Sequence, residues 1–498
     1  LLEIKLKQQG IDINISRSPQ AETPAGGRAT GRKESIYRTL EPVEEKEYYV
    51  LSSAQKRFFM LQQLDAEGMV FNMFHMMIVN GKLIKQQFEE ALGKLLNRHE
   101  PLRTSIDIIA GEPRQKILPH VAFAIDYFET DREEEIEKII KGFTRPFDLK
   151  KPPLLRMGLI QLAEEKHLLL FDMHHIISDA TSVNLLVKNL ITFYAGKDLP
   201  PLKIQYKDFC QWQNHLLMSG EIKAQEAYWL NHLNGKLPVL NMPTDYPRPS
   251  LQNFEGAGID FQWDREFTGH LNRLARETGA TLFMVLLAVY TILLSKYTRQ
   301  YDIIVGIPIA GRNNTNLENM IGLFIETLAL RNRPESEKNF AAFLQEVKEN
   351  TLNAFENQVY PFRELLKKVG SENDFSRNPL FDAMLIMQKR DTGLEKFQVG
   401  DINVAPYEWP AAMEAKIEAK VDINLDVKDK EGKLFFTLEY SSSLFKRETM
   451  ARFITFFKEI ATIVVHNKEI KLKDIAISHE LSTATTHVYE REKSEFEF

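Results

Sequence analysis

One stretch in the first half of the chain combines the patterns of a buried strand, a tight turn and a helix. The apolar run over 166–171 is typical of a buried strand, and apolar residues recur at helical spacing over 183–191. Ser178 or Asp179 is suited to cap the helix, because both side chains can accept a hydrogen bond from its first turn. The stretch therefore predicts a strand, a turn and a helix in direct succession.

Two adjacent histidines, His174 and His175, end the predicted strand. Successive strand side chains point to opposite faces, so we expect one histidine to face a cavity and the other to be held inside. Such neighbours do not converge on one metal ion, and the sequence has no HExxH motif, cysteine cluster or GxSxG elbow. The arrangement favours a lone general base at a strand end, whereas an arbitrary histidine pair is more often structural.

The composition excludes several classes of function. A net charge of -6, from 63 basic and 69 acidic residues, leaves no broad basic face for nucleic acid. The longest apolar run, over 282–294, is shorter than the ~20 residues of a membrane span, so we predict a buried core helix and no membrane partner. Cys210 is the single cysteine, which excludes an internal disulfide and predicts a cytoplasmic location.

Strand and helix patterns alternate along both halves of the chain, which predicts an α/β fold. We place a boundary at the proline-rich segment 241–249. The predicted organisation is a linker over 1–46, an N-terminal lobe over 47–240 with the histidines, a C-terminal lobe over 241–478 and a linker over 479–498. Because the chain begins without Met or a signal-peptide core, we interpret it as a segment of a longer protein.

Seven short motifs, in order, resemble those of the condensation domains of nonribosomal peptide synthetases. The residues HHIISDA over 174–180 resemble the HHxxxDG motif that these domains share with chloramphenicol-acetyltransferase-like acyltransferases. The other six motifs lie at 53–57, 98–104, 206–212, 321–331, 357–362 and 376–380. The resemblance runs from about 48 to 478, which is nearly all of the chain outside the two predicted linkers.

The resemblance implies a fold, partners and an activity. The implied fold is α/β, with two chloramphenicol-acetyltransferase-like lobes in a V-shaped pseudodimer and a tunnel between them. Upstream donor and downstream acceptor carrier domains present substrates on 4'-phosphopantetheine arms, and an adenylation domain is adjacent. The acceptor amine attacks the donor thioester to form a peptide bond in antibiotic biosynthesis. The chain is expected to need no cofactor of its own and to be monomeric.

The resemblance also assigns roles to residues of the histidine motif. His175 is the catalytic residue, which takes a proton from the attacking amine or orients the amine. His174 supports the turn from the other face. We expect Asp179 to form a buried ion pair with Arg103, and losing either partner of such a pair would cost about 3–5 kcal/mol.

Four further residues are assigned to the channel and oxyanion region, namely Ser178, Ala180, Glu326 and Ser53. Ala180 replaces the glycine of the motif, which would narrow the channel and would strain the backbone if the position needs a positive φ. Glu326 stands where the family usually has asparagine, and Val359 replaces an aspartate of the sixth motif. These departures predict slow, unusual or impaired turnover.

Alternatives to an elongating condensation domain remain. An epimerisation-type relative shares the paired histidines, although its other motifs fit less well. A heterocyclisation domain is disfavoured because it carries a DxxxxD pattern in place of the histidines. A catalytically impaired domain would act as a scaffold that docks carrier domains. Within the elongating type, the residues RHEPLRT over 98–104 favour an upstream donor of L configuration.

Overall fold

The computed structural model describes residues 40–63, 68–370, 374, 376–388, 396–407 and 418–477. The predicted linker over 479–498 and most of the predicted linker over 1–46 lie outside the described residues. Within the described ranges, strands and helices are interspersed along the chain, and the chain folds into two compact units. The predicted α/β class is therefore confirmed.

The secondary structure elements are numbered here in chain order. The strands are β1 (Tyr49–Val50), β2 (Asn72–Asn80), β3 (Thr104–Ile109), β4 (Glu112–Ile117), β5 (Asp126–Glu129), β6 (Leu155–Ala163), β7 (Lys166–His174), β8 (Gly256–Trp263), β9 (Ile303–Ile309), β10 (Glu326–Asn332), β11 (Ala383–Gln388), β12 (Phe397–Val399), β13 (Ile402–Pro406), β14 (Ile423–Lys430) and β15 (Lys433–Ser441). The helices are α1 (Ser53–Gln62), α2 (Lys85–Arg98), α3 (Glu133–Phe143), α4 (Ala180–Tyr194), α5 (Tyr206–Ser219), α6 (Lys223–His232), α7 (Arg265–Glu277), α8 (Leu282–Thr298), α9 (Phe340–Glu356), α10 (Phe362–Val369) and α11 (Arg447–His466).

The first unit is built around a six-stranded sheet with the order β12-β13-β2-β7-β6-β5. Strand β7 lies inside this sheet, antiparallel to both β2 and β6, and only its first residue is exposed. Leu169 and Phe171 pack into one apolar cluster, whereas Leu168 and Leu170 pack into a second cluster. This alternation explains the continuous apolar run, because a strand covered on both faces has no solvent side. The predicted buried strand is confirmed.

Helix α1 begins at a capping box in the same unit. The hydroxyl of Ser52 accepts a hydrogen bond from the amide of Gln55 at 3.0 Å, and the Gln55 side chain accepts one from the Ser52 amide at 3.2 Å. These reciprocal bonds satisfy two amide groups that have no partner within the helix. Ser52 therefore caps the helix, which runs over Ser53–Gln62.

The second unit contains another six-stranded sheet, with the order β10-β9-β11-β14-β15-β8. Helix α8 packs against α7, α9 and α11, and most of its length is buried, as predicted for the apolar run over 282–294. In the described part of the chain, no single helix is long and apolar enough to cross a membrane. Helices α7 and α8 meet that criterion only as a pair, which bends by 100°.

The two units do not follow the chain in two consecutive halves. The first unit comprises described residues up to Lys223 together with Ala310–Ile325 and 396–407, and the second unit comprises the remainder. The sequence-based prediction placed both of these later segments, Ala310–Ile325 and 396–407, in the C-terminal lobe over 241–478. They are called the returning segments of the first unit. Strand β13 belongs to the first unit because it pairs with β2, and that pairing has no signal in the local sequence.

Candidate functional site

The two histidines stand at the end of β7, where the strand becomes a single turn of 3-10 helix over His175–Ile177. The strand ends at His174, so His175 begins the turn instead of continuing the strand as predicted. Asp179 then caps α4, and its carboxylate accepts a hydrogen bond from the amide of Ser182 at 2.8 Å. The predicted strand, turn and helix are confirmed, and of the two candidate caps Asp179 is the one used.

His174 is completely buried, and both of its ring nitrogens are engaged. Nδ1 accepts a hydrogen bond from the amide of Ile176 at 3.0 Å, and Nε2 lies 3.1 Å from Oε1 of Gln62. Because Nδ1 accepts, the neutral ring carries its proton on Nε2, which donates to Gln62. Burial lowers the pKa of His174 to about 3, with further lowering by His175 and Arg156. His174 is therefore a neutral structural residue.

His175 is half-buried, and its Nδ1 lies 2.9 Å from the carbonyl oxygen of Ser178. A carbonyl oxygen only accepts hydrogen bonds, so Nδ1 carries the proton in the neutral ring and Nε2 carries the lone pair. The ring of Phe58 lies against the imidazole, with 4.9 Å between the ring centroids. One histidine is held inside, as predicted, and its neighbour is partly exposed. That His175 faces a cavity stays a prediction.

Asp179 links α4 to the returning segment Ala310–Ile325 of the same unit. Besides its cap, its carboxylate accepts hydrogen bonds from the Ser182 hydroxyl at 2.8 Å, the Arg312 guanidinium at 3.0 Å and the Phe324 amide at 3.0 Å. The Asp179 and Arg312 side chains are only 4% and 6% exposed, so this ion pair is shielded from water. The turn is therefore fixed by a buried charge pair.

The predicted ion pair between Asp179 and Arg103 is wrong. The Arg103 guanidinium donates to the carbonyl oxygens of Leu96 at 2.9 Å, Leu118 and Pro119 at 3.2 Å. Arg103 thereby ties the end of α2 to the chain after β4. Sequence reasoning missed Arg312, which lies 133 residues after Asp179 and has no local pattern that identifies it.

The other candidate residues of the first unit are Ser178, Ala180 and Ser53. Ser178 is buried, and its hydroxyl lies 3.4 Å from the Asp179 carbonyl oxygen. Ala180 is the exposed first residue of α4, and its φ is not positive, so the predicted strain is absent there. Ser53 is buried at the start of α1, where its amide donates to the Gln213 side chain at 2.7 Å.

Glu326 and Val359 belong to the second unit. Glu326 is the first residue of β10, and its carboxylate accepts a hydrogen bond from the amide of Phe362 at 3.3 Å. The amide of Val359 donates to the Gln225 side chain at 3.1 Å. In the described residues, no group of three or more His, Cys, Asp or Glu is arranged to hold a metal ion.

Solved structures of similar fold cover most of the chain. The X-domain from teicoplanin biosynthesis is similar with a TM-score of 0.81 and 22% identity, covering 88% of this chain and 100% of that one. A four-domain nonribosomal peptide synthetase bound to AMP and glycine gives a TM-score of 0.78 at 22% identity, covering 90% of this chain and 35% of that one. These similarities define the class as an α/β protein with a chloramphenicol-acetyltransferase-like fold, as predicted.

The family model of the condensation domain matches residues 45–485, and the chain belongs to that family. It is 46% identical over 439 residues to gramicidin S synthase 2 of Brevibacillus brevis, covering 88% of this chain and 10% of the relative. It is 43% identical over 478 residues to tyrocidine synthase 3 of Brevibacillus parabrevis, covering 95% and 7%. The chain thus spans about a tenth or less of these relatives. Condensation domains of nonribosomal peptide synthetases are acyltransferases that form peptide bonds.

Proposed function

We propose that this chain joins two carrier-bound substrates through a peptide bond, with His175 as its catalytic residue. The amine of the acceptor aminoacyl thioester attacks the carbonyl carbon of the donor thioester. A C–N bond forms, the C–S bond breaks, and the donor's phosphopantetheine leaves as a thiol after it receives a proton. The growing chain is then attached to the acceptor arm.

The tautomer of His175 is the observation that carries this proposal. With its Nδ1 proton held by the Ser178 carbonyl oxygen, the neutral ring has its lone pair on Nε2. That nitrogen can take the proton that the amine sheds as the C–N bond forms, and it can pass the proton to the leaving thiolate. An α-amine with a pKa of about 8 is already partly deprotonated at neutral pH. Orienting the amine by hydrogen bonding is therefore as much a part of the role of His175 as taking its proton.

The proposed partners are an upstream donor carrier and a downstream acceptor carrier, each with a 4'-phosphopantetheine arm, and an adjacent adenylation domain. The similarity to synthases of which this chain spans about a tenth supports a place among other domains. We propose that the domain is of the elongating type with a donor of L configuration and that it works in the cytoplasm. The tunnel in which the two arms would meet stays a prediction of the family resemblance.

Peptide-bond formation from two loaded carrier domains tests the proposal. The acceptor carrier's intact mass reports the dipeptidyl thioester over time. His175→Ala should slow its formation by at least about 100-fold, the lower range for losing an acid–base group. His215→Ala, which changes an exposed histidine on α5, is the matched control and should retain wild-type activity.

Two results would contradict the proposal. Equal rates for His175→Ala and the wild-type chain would remove His175 from the chemistry. A wild-type chain that binds both carriers yet yields no dipeptide with any pair of L-configured substrates would instead be the carrier-docking scaffold considered above.

A further inference from the structure

One face of helix α1 lies against the turn that carries His175. Gln55, Phe58 and Gln62 are spaced three and four residues apart, which places their side chains on the same side of the helix. Gln55 Nε2 donates to the Ile176 carbonyl oxygen at 3.1 Å, and the Phe58 ring contacts the His175 ring. The helix therefore touches successive residues of the turn.

Gln62 makes the remaining contact of that face, and its partner is His174. Its Oε1 lies 3.1 Å from His174 Nε2, while the Ile176 amide donates to Nδ1 on the other side of the ring at 3.0 Å. The His174 ring thus bridges two fixed points, helix α1 and the Ile176 amide in the turn. Gln62 belongs to none of the seven motifs, so the sequence pattern assigns it no role.

We propose that Gln62 is a positioning residue for peptide-bond formation. By accepting a hydrogen bond from His174 Nε2, it holds His174 in the tautomer whose Nδ1 receives the Ile176 amide, and this bond fixes the turn that presents His175. The inference rests on the proposed function of His175, because positioning matters only if that ring acts on the substrates.

The physical argument is that His174 has no second satisfactory state. Without the Gln62 oxygen, its Nε2–H would be a buried donor with no acceptor, which is costly. Moving the proton to Nδ1 would relieve that donor but would direct an N–H at the Ile176 N–H. Either change loosens the turn. The charged or titratable groups that face His174 are His175 and Arg156, and both disfavour a second proton on its ring.

Gln62→Leu tests the proposal through kinetics in the full chain. It should lower kcat for dipeptidyl thioester formation by about tenfold, because a buried N–H loses its acceptor, and KM for either loaded carrier should not change. Gln86→Leu makes the same substitution at an exposed position of α2 and should leave both constants at wild-type values. Thermal midpoints and circular dichroism confirm that each variant is folded.

Gln62→Glu keeps an acceptor oxygen in place and tests the role by pH. A carboxylate beside Nε2–H favours the doubly protonated ring of His174, whose Nδ1 can no longer accept the Ile176 amide. The variant should therefore match the wild-type chain near pH 8, and the acid limb of its kcat should lie at a higher pH than that of the wild-type chain. A residue that only packs against the turn would not shift this limb. If Gln62→Leu does not fold, the pH profile of Gln62→Glu still tests whether Gln62 is a positioning residue.

Nitrogen NMR of histidine-labelled chain reads the tautomer of His174 directly, without reference to activity. The wild-type spectrum should show the Nε2–H form, and Gln62→Leu should lose it as the main species. An unchanged tautomer, together with wild-type kcat in Gln62→Leu, would overturn the proposal for Gln62. If instead His175→Ala is fully active, the proposed function fails, and the NMR result still decides whether Gln62 sets the tautomer.

Discussion

Each of the two units contains buried aspartate beside arginine, but the hydrogen-bond donors to the carboxylates differ between the two sites. In the first unit, Asp179 receives hydrogen bonds from Ser182, Arg312 and Phe324, so that both of its oxygens have donors. Two of these donors are backbone amides, whose positions are set by the fold. A carboxylate with this many fixed donors can be buried with its arginine at modest cost.

The second unit brings two carboxylates together. Arg248 binds Asp422 through two nitrogens, one of them at 2.9 Å, and Arg377 donates to Asp382 at 3.0 Å. Oδ1 of Asp382 has no hydrogen-bond partner among the described residues. Burial and the neighbouring charge of Asp422 raise the pKa of Asp382 to about 7.

The difference shows two ways to keep carboxylates inside a protein. Arg312 balances the charge of Asp179, and hydrogen-bond donors reach both of its oxygens. Asp382 has no donor to Oδ1 among the described residues, and it lies near the negative charge of Asp422. A bound proton compensates for that missing donor. We therefore expect mutations to be most damaging at the first site and pH to act at the second site.

The largest effect is expected for Asp179→Ala. It leaves Arg312 as a buried charge without its partner, so the free energy of unfolding should fall by about 3–5 kcal/mol and peptide-bond formation should be lost with the turn. Asp198→Ala, which breaks an exposed pair with Lys94, should cost less than about 1 kcal/mol. Denaturant titrations of both variants measure the two values. Equal losses would show that the Asp179 pair is not stabilising the fold.

Asp422→Asn should have an intermediate effect. Arg248 loses its charged partner but is 17% exposed and can be partly hydrated, so the loss should be about 2–3 kcal/mol, below that of a fully buried pair. The same denaturant titration measures it. A loss as large as that of Asp179→Ala would contradict the comparison.

The third prediction concerns pH and Asp382. Its pKa is about 7 when folded and 3.8 in the reference state, so the folded chain holds a proton that the unfolded chain releases. The stabilisation is complete below about pH 4 and is lost as pH rises through about 7, with a slope of at most about 1.4 kcal/mol per pH unit. Asp382→Asn should flatten the curve of unfolding free energy against pH in that window. Parallel wild-type and variant curves would disprove the role of Asp382.

The smallest effect is expected for Ala180→Gly, which restores the residue of the family motif. Ala180 is exposed at the start of α4, so the substitution should change stability by less than about 1 kcal/mol and the rate of peptide-bond formation by less than about twofold. A large gain in rate would show that the methyl group obstructs the substrates, as the sequence comparison suggested.

Local features of this protein followed from the sequence alone. The apolar run predicted the buried strand β7, Asp179 was one of two predicted caps of α4, and the run over 282–294 predicted the buried helix α8. The ordered motifs predicted the condensation family, which the family match confirms. Such features are readable because strand periodicity, helix periodicity and caps depend on residues a few positions apart.

Only the tertiary structure determined which groups contact each other across long stretches of sequence. Arg312 pairs with Asp179 across 133 residues, Gln62 meets His174 across 112, and β13 joins β2 from the far end of the chain. Arg103 carries the same charge as Arg312, but its guanidinium donates to three backbone carbonyl oxygens instead of to Asp179. The spacing of residues in the sequence does not predict these contacts. Charge and residue type show that a buried group needs a partner, but only the packed fold determines which partner is within hydrogen-bonding distance.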